Sequence, residues 1–408
     1  MPAIAVYDNL TSGGSKRELS EFVRQLAEAG MTVDLYTTTV AAREFLSPAA
    51  WVRHTYVYPF PAMRPMARRL PGLRKHVEAA RELAEIAGVR RRSRRIAADI
   101  DRRAYDWVFV HHCRPVQSPF LLGFLRTGSV YYCAEPMREF YEPAPPQRPY
   151  EQAGSRAARL QAAWYSPTRR LVQGVIRAAD RRNVRHATLL LANSRYSVAS
   201  LRRAYGVRAQ VCYLGVDTGK FRPLGAPRQD YVLAVGAVAP LKGYDFLVRA
   251  VGAIPVAMRP PLVLIGNTVS GAEAAFLQDL AMRHGVKLTI RGNVDESELV
   301  EAYNAARVFV YAAHREPFGL APVEAMACGT PVVAVAEGGP RESVLDGETG
   351  YLVPREEAVF AGRVQQLLTN PARGQALGEQ GRRHVLAHWT WPQAAARLQQ
   401  LVSTAIHS

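Results

Sequence analysis

The sequence lacks the features of a secreted or membrane-spanning protein. Its 408 residues include four cysteines and no CxxC pair, so neither a zinc site nor a disulfide framework is predicted, and all four are expected to be reduced thiols. No apolar run of about 18 residues occurs. The N-terminal stretch "MPAIAVYDNLTSGG" has neither a basic start nor a long apolar core. We therefore expect a cytoplasmic protein.

Acidic residues are also scarce. There are 35 Asp and Glu against 52 Lys and Arg, which gives a formal net charge of +17. Such a charge suits an anionic partner, namely nucleic acid, a phospholipid surface or a phosphorylated substrate. It also occurs in proteins of arginine-rich proteomes, so the charge alone does not distinguish between these explanations. The 48% hydrophobic and 21% charged residues are typical of folded globular proteins and exclude a disordered or fibrous chain.

Short apolar strands alternate with amphipathic helices in two successive series. The first opens with "AIAVYD", the glycine turn "TSGG" and the helix "SKRELSEFVRQLAEAG", and the second begins at "DYVLAVGAVAPLKGYDFLVRAVGAI". This alternation predicts an α/β protein with two Rossmann-like, doubly wound parallel sheets that face each other across a cleft. The glycine and proline residues near position 210 place the boundary between domains 1–209 and 210–388.

The segment 64–103 is strongly basic, with 13 Lys or Arg against 5 Asp or Glu, and it includes the run "RRRSRR". Val77, Leu83 and Ile86 form a weak apolar stripe, so we predict a helical insertion at about residues 60–103 of the first domain. It is either a solvated surface helix or a contact surface for a membrane or an anionic acceptor.

The segment "HREPFGLAPVE", residues 314–324, places Glu316 and Glu324 on either side of a predicted helix start. It follows the strand "RVFVY", and the helix is predicted to open near Phe318. The free amides of Phe318, Gly319 and Leu320 would suit phosphate oxygens. Two carboxylates around such a helix start fit a nucleotide sugar better than a catalytic acid and base, with one carboxylate for the ribose hydroxyls and the other for the sugar hydroxyls.

This segment belongs to a set of motifs that resembles glycosyltransferase family 4. The set also includes "EAMACGTPVVA", "VGAVAPLKGYDFLVRA", "LANSRYS", "YLGVDTGKFRP" and "DGETGYLV", in the family's order and over most of the chain. The resemblance implies the GT-B fold and a C-terminal helix, 389–408, that returns to the first domain. It also implies retaining transfer of a hexosyl group, of mannosyl or glucosyl type, from a nucleoside diphosphate sugar to an acceptor hydroxyl, with no metal or other cofactor.

The resemblance also assigns roles to individual residues. It implies that Glu324 binds the ribose, that Glu316 contacts the donor sugar and that Lys242 neutralises the diphosphate as it leaves. His111 is expected to contact the donor sugar, with His112 as its rival because strand neighbours point to opposite faces. The other substrate-binding residues it implies are Gly13, Gly14, Val294, Phe318, Gly319 and Leu320. His111, Lys242 and Glu316 are the expected catalytic residues.

One position departs from the family pattern. Ala237 stands where related enzymes commonly have an arginine that binds the diphosphate together with the lysine. Lys16, Arg17 and Arg341 are candidates to replace that arginine, and backbone amides are the alternative.

Three further groups are weaker candidates. Glu135 either positions an acceptor or is an ordinary loop carboxylate. The "EGGP" stretch, residues 337–340, is expected beside the donor sugar. Asp99 and Asp101 match an Asp-x-Asp metal motif but lie in a predicted helix, so no metal site is expected there.

The donor base and the acceptor are not evident from the sequence. The basic segment favours a lipid-linked or envelope-glycan acceptor, with peripheral contact at the inner face of the membrane. A small natural-product acceptor is the alternative. A GT-B nucleotide-sugar epimerase and a nucleic-acid-binding protein are weaker hypotheses, and no interleaving of aromatic and basic residues supports the latter.

Overall fold

A computed structural model describes residues 2–10, 14–38, 48–59, 74–113, 116–143, 147–151 and 156–406. Within these residues the chain forms two separate, entirely parallel β-sheets with flanking helices, which confirms the predicted α/β fold. Both faces of the sheets are covered. Along the first strand, for example, Ile4 and Val6 belong to one hydrophobic core and Ala5 and Tyr7 to another. Burial on both faces explains why the strands are nearly continuous apolar runs.

Seven strands are described in the first sheet, in the order β3-β2-β1-β4-β5-β6-β7. They are β1 (Ala3–Asp8), β2 (Thr32–Thr38), β3 (His54–Tyr58), β4 (Trp107–His111), β5 (Ser129–Tyr132), β6 (Leu189–Ala192) and β7 (Gln210–Val211). Its helices are α1 (Gly14–Glu28), α2 (Arg74–Arg102), α3 (Arg138–Tyr141), α4 (Arg156–Asn183) and α5 (Arg195–Tyr205).

Six strands are described in the second sheet, in the order β10-β9-β8-β11-β12-β13. They are β8 (Gln229–Val235), β9 (Leu262–Gly266), β10 (Leu288–Gly292), β11 (Ala306–Tyr311), β12 (Val332–Val335) and β13 (Gly350–Val353). The helices that follow along the chain are α6 (Tyr244–Gly252), α7 (Gly271–Arg283), α8 (Glu296–Ala305), α9 (Leu320–Ala327), α10 (Pro340–Ser343), α11 (Glu357–Thr369), α12 (Pro371–His388) and α13 (Trp391–Ile406).

The chain passes from the first sheet to the second between β7 and β8, along the glycine- and proline-containing segment that follows residue 210. β7 still pairs with β6 of the first sheet, and β8 begins only at Gln229. β7 is two residues long, so it carries too little periodic signal to be read from the sequence. At the C-terminus, α13 packs against α1 of the first domain, and the rings of Trp391 and Phe22 lie 5.4 Å apart.

The strand orders place a crevice at the same point of each sheet. Successive strands are added to one side of β1 and then, from β4 on, to its other side, and the same change of side occurs between β8 and β11 in the second sheet. Ligands of open parallel sheets bind at such points, outside the carboxyl ends of the strands. The loops that follow these four strands are therefore where binding residues are expected.

The basic segment forms the helix α2, which packs on α4 through buried Ile86, Val89, Val172 and Ile176. The arginines of its "RRRSRR" run are mostly exposed. Residues 60–73 of the predicted insertion lie outside the described residues. Among the helices that the structure describes, none combines the length and the apolar character needed to span a membrane.

Candidate functional site

An ion pair occupies the crevice of the second sheet. Lys242 ends a short 3-10 turn after β8, and Glu316 lies in the loop after β11. The lysine Nζ is 2.7 Å from a Glu316 carboxylate oxygen. Burial alone would raise the pKa of Glu316, but the charge and hydrogen bond of Lys242, followed by the charge of Arg138, hold that pKa below its ordinary value. Glu316 is thus an ionised carboxylate in a largely enclosed site.

Two glycines of the "EGGP" stretch fix the backbone of Glu316. Gly338 has a φ of +63°, and a Cβ there would lie 2.2 Å from the Glu316 carbonyl oxygen. A Cβ on Gly339 would lie 2.4 Å from Cα of Phe318, and the Gly339 amide donates to the Glu316 carbonyl over 2.8 Å. Glu337 itself is paired with Arg355. The stretch therefore packs against the backbone of Glu316 and fixes its position.

The helix after Glu316 begins later than predicted. Gly319 is its N-terminal cap, with a φ of +85°, and α9 starts at Leu320. Phe318 lies outside the helix, is buried, and packs on Trp389 with ring centroids 5.5 Å apart. The left-handed residue interrupts the helical geometry that the sequence suggested near Phe318.

Glu324 is buried in α9 and is held on both oxygens. The Tyr303 hydroxyl donates to one oxygen over 2.8 Å, and Arg17 of the first domain donates to the other over 3.3 Å. Tyr303 was not predicted, because only the folded chain brings the end of α8 beside α9. The Arg17–Glu324 pair joins the two domains.

A cavity opens beside Glu324 between the two domains. Arg17 also lies 3.9 Å from Glu296, which pairs with Lys220 over 2.7 Å. The cavity is lined by Arg17, Glu21, Gly215, Val216, Asp217, Lys220, Phe221, Glu296, Leu320, Glu324 and Trp391. Val294, one of the expected substrate-binding residues, is partly buried against the hydrophobic core and is not one of these lining residues.

The first domain contributes two adjacent histidines to the cleft. His111 ends β4, is fully buried, and stacks on Tyr132 with ring centroids 5.4 Å apart. Burial, followed by the neighbouring His112, lowers the pKa of His111 well below its ordinary value, and burial lowers the pKa of His112 to about 4. Both imidazoles are therefore neutral near pH 7. His111 points toward Glu18 of α1, whereas His112 is less buried.

Of the two glycines predicted after β1, Gly14 is the first residue of α1 and is exposed, with open space where a Cβ would lie. Gly13 lies outside the described residues.

Arg138 connects the domains next to Glu316, and sequence patterns did not single it out. It binds Glu135 at 2.5 Å and donates to the carbonyl oxygens of His314 and Arg315 over 3.2 Å each. Glu135 is therefore part of the cleft wall. No local signal identifies Arg138, since its second-domain partners lie 176 and 177 residues away in the chain.

The cations proposed to replace the missing arginine lie in different surroundings. Lys16 is buried, pairs with Asp8 and donates to the Leu10 carbonyl. Arg17 binds Glu324, as described above, and Arg341 is exposed on α10. Lys16 is thus engaged within its own domain, because a buried ammonium needs a charged partner.

The carboxylates of the Asp-x-Asp motif are engaged in structural contacts. Asp99 accepts from Tyr58 and Arg102, and Asp101 accepts from the backbone amides of Arg126 and Thr127. These contacts anchor the end of α2.

Several other contacts hold the two domains together. Glu342 accepts hydrogen bonds from the Arg195 and Tyr196 amides at the start of α5, each over 2.9 Å. Buried Arg148, which precedes α4, binds Asp245 at 3.0 Å and Glu273 at 2.8 Å. These contacts join the two domains at two separate places.

Together, these residues combine a lysine, a helix start, an ionised carboxylate and neutral histidines in one enclosed cleft. A lysine and backbone amides suit a diphosphate, and carboxylates suit hydroxyl groups. The arrangement can therefore bind a diphosphate that carries a sugar on each side.

The family model "Glycosyl transferases group 1" matches residues 217–384. A D-inositol 3-phosphate glycosyltransferase of Geodermatophilus obscurus is 31% identical over 93% of this chain and 82% of its own length. D-inositol 3-phosphate glycosyltransferase 2 of Catenulispora acidiphila is 36% identical over 59% of this chain. That match spans 60% of the relative's length, and two further relatives of the same name are matched over 51% and 53% of theirs.

Solved structures resemble the whole chain. Sucrose-phosphate synthase from Thermosynechococcus elongatus superposes with a TM-score of 0.72 at 22% identity, covering 99% of both chains. HepE from Anabaena, solved in complex with UDP and glucose, has a TM-score of 0.66 at 17% identity and covers 99% of this chain and all of its own. At these identities the likeness establishes the fold, which is the GT-B arrangement.

Proposed function

Because the chain belongs to the group 1 glycosyl transferases, we propose that it moves a hexosyl group from a nucleoside diphosphate sugar to an acceptor hydroxyl. The observation that carries the proposal is the Lys242–Glu316 pair, which lies at the ligand-binding edge of the second sheet directly before the start of α9. The finer placement in family 4, with retention of configuration, remains part of the proposal.

In this proposal the second domain holds the donor. Lys242 and the amides before and at the start of α9 bind the diphosphate, Glu324 binds the ribose and Glu316 binds sugar hydroxyls. Lys242 then stabilises the charge that develops on the departing phosphate, which is worth more in an enclosed cleft than in water.

For the transfer step we propose front-face substitution. The bond from the anomeric carbon to the diphosphate oxygen breaks, and the acceptor oxygen bonds to that carbon on the same face. The departing phosphate oxygen takes the acceptor proton, so the protein contributes placement and charge stabilisation. The contacts of Arg17 and Arg138 across the cleft support a role for domain closure in excluding water.

The acceptor is the less defined substrate. The names of the relatives point to an inositol phosphate, which would be a small soluble acceptor. The exposed arginines of α2 instead favour a lipid-linked or envelope-glycan acceptor presented at a membrane surface. Incubation of the protein and a donor with D-inositol 3-phosphate, in the presence or absence of anionic vesicles carrying a glycolipid, separates the two.

The donor is best tested by a thermal-shift panel of UDP, GDP and ADP, each alone and as its glucose or mannose conjugate. A ligand present at about 100 times its dissociation constant adds roughly 2.7 kcal/mol to stability. We expect one nucleotide series to raise the melting temperature. A panel in which no nucleotide does so would contradict the proposed function.

A further inference from the structure

Glu18 is a buried acidic residue in the second turn of α1. Its neighbour Leu19 belongs to the hydrophobic core, whereas Glu18 is 7% exposed and lies near the charges of Glu135 and Glu316. Within the described part of the chain, its Oε2 atom has no hydrogen-bond partner. A buried carboxyl group without a partner is costly, so its presence suggests that a ligand completes its hydrogen bonding.

His111 lies opposite Glu18 and is likewise a buried polar side chain. Neither of its ring nitrogens has a hydrogen-bond partner among the described residues. The distance from His111 Nε2 to Glu18 Oε2 is 4.0 Å, too long for a direct hydrogen bond. One hydroxyl oxygen at about 2.8 Å from each atom would reach both of them.

The surroundings of this pair favour a neutral group over an anion. Burial raises the pKa of Glu18 to about 8, and the charges of Glu135 and Glu316 act in the same direction. His111 is kept neutral by burial and by His112. The pair is therefore uncharged near pH 7 and offers both a donor and an acceptor, as a hydroxyl group requires. A phosphate would instead meet two neighbouring carboxylates.

The other charged groups around the pair are already balanced. Glu135 is paired with Arg138, and Glu316 with Lys242. Tyr132, on which His111 stacks, donates its hydroxyl to the Cys212 carbonyl. Glu18 differs from Glu135 and Glu316 in this respect. Among the described residues, its carboxyl group has no partner within 4.0 Å that could balance its charge, except His111, which is neutral.

We propose that Glu18 and His111 together bind one hydroxyl group of the donor sugar, and that Glu18 is a specificity residue of the cleft. The inference rests on the proposed function. The pair lies near Glu316, and the partner of Glu316 is Lys242, which is proposed to bind the diphosphate. The part of the substrate next to the diphosphate is the donor sugar, so we assign the hydroxyl group to it.

The test compares binding of UDP and UDP-glucose, or the GDP and mannose pair if the guanine series binds, by titration calorimetry on the full chain. We expect Glu18→Leu to leave the affinity for the free nucleotide unchanged. Its affinity for the nucleotide sugar should fall roughly 10- to 100-fold, as for a lost hydrogen bond in a buried site. Glu18→Gln keeps a neutral donor and acceptor and should restore most of the affinity. Glu28→Gln, at the exposed end of the same helix, is the matched control.

A pH series adds a second measurement. In the wild type, the preference for the nucleotide sugar over the free nucleotide should decline above about pH 8, where Glu18 ionises. In Glu18→Gln this decline should be absent.

Three outcomes would overturn the proposal. If Glu18→Leu weakens both ligands equally, the residue is structural, and if it weakens neither, the sugar does not contact it. In both cases the wild type still binds a nucleotide, so the proposed function stands. If the wild type binds no nucleotide or nucleotide sugar, the proposed function fails and this inference fails with it.

Discussion

The Lys242 ammonium and the Glu316 carboxylate, each expected to bind a different part of a donor, bind each other over 2.7 Å. Their side chains are 25% and 21% exposed, so both remain accessible from the cleft. In the proposed reaction Lys242 exchanges its ion pair with Glu316 for one with the diphosphate. The Glu316 carboxylate is then free to accept hydrogen bonds from sugar hydroxyls. Substrate binding therefore exchanges one set of charged contacts for another without leaving a buried charge alone.

Lys242→Met should lower kcat/KM for sugar transfer by about 100-fold or more, because the departing diphosphate loses its positive partner. Steady-state kinetics with the donor identified by thermal shift would measure this. Lys287→Met, on the exposed surface before β10, is the matched control and should behave like the wild type. A Lys242→Met enzyme with nearly normal kcat/KM would show that the lysine does not face the leaving group.

Tyr303→Phe tests the support of Glu324. The Tyr303 hydroxyl is buried and donates to Glu324 over 2.8 Å, so its loss should leave the carboxylate less well placed for the ribose. We expect the affinity for UDP to fall by about 5- to 10-fold, the effect of one ordinary hydrogen bond, because Arg17 still holds the other oxygen of Glu324. Affinity for 2′,3′-dideoxy-UDP, which lacks the ribose hydroxyls, should hardly change. Equal losses for both nucleotides would contradict the assigned role.

The sequence predicted the strands of the second sheet and the loop that carries Glu316 well, because those signals are local. β12, for example, is a run of four buried apolar residues, and Glu316 and Glu324 lie in one continuous segment. The two-sheet α/β fold followed from the alternation of such strands with helices.

The contacts between domains could not be predicted in the same way. Arg17 and Glu324 are 307 positions apart, and the contact of Arg138 with His314 depends on how the two sheets face each other. Lys16 illustrates the converse error, since it was a candidate for the diphosphate but is buried against Asp8. A charged side chain at the start of a helix can point toward the ligand or back toward the strand that precedes the helix. The packing of the folded domain decides between the two.

Glu18 should lower the stability of the ligand-free protein above acidic pH. Its pKa is raised to about 8 in the folded state from an ordinary value near 4.5, so the folded state binds this proton more tightly than the unfolded state. The contribution of Glu18 to stability is therefore fully present below about pH 4.5 and is lost as pH rises toward 8. Glu18→Gln, which has no ionisable group here, should melt at a higher temperature than the wild type at pH 8 and differ less at pH 5. Equal differences at the two pH values would contradict the raised pKa.

Arg148 should contribute strongly to the stability of the protein. Its guanidinium is 4% exposed and binds Glu273, which is fully buried, and Asp245. Arg148→Met removes the buried cation that Glu273 and Asp245 share, and Glu273 then keeps only the Tyr150 hydroxyl whereas Asp245 keeps Arg249. The variant should be destabilised by about 3 to 5 kcal/mol, measured by denaturant unfolding, mainly because Glu273 stays buried without a cation. Arg148→Met combined with Glu273→Gln removes much of the unpaired charge and should recover part of that loss. If the double variant is no more stable than the single one, the buried charge is not the cause.

Gly338→Ala should disable the site through the backbone of Glu316. The new Cβ would lie 2.2 Å from the Glu316 carbonyl oxygen, so the loop that carries this carboxylate must move. Because a shift of about 1 Å at a positioned group can cost roughly 100-fold in rate, we expect kcat to fall by a similar factor. Gly347→Ala separates this effect from backbone strain, since Gly347 has a similar φ of +75° but a Cβ there would meet no atom within 4 Å. Both variants should be destabilised to a comparable extent, because each places an alanine at a positive φ. Only Gly338→Ala should lose activity. Equal activity in the two variants would show that the contact between Gly338 and Glu316 does not position the carboxylate.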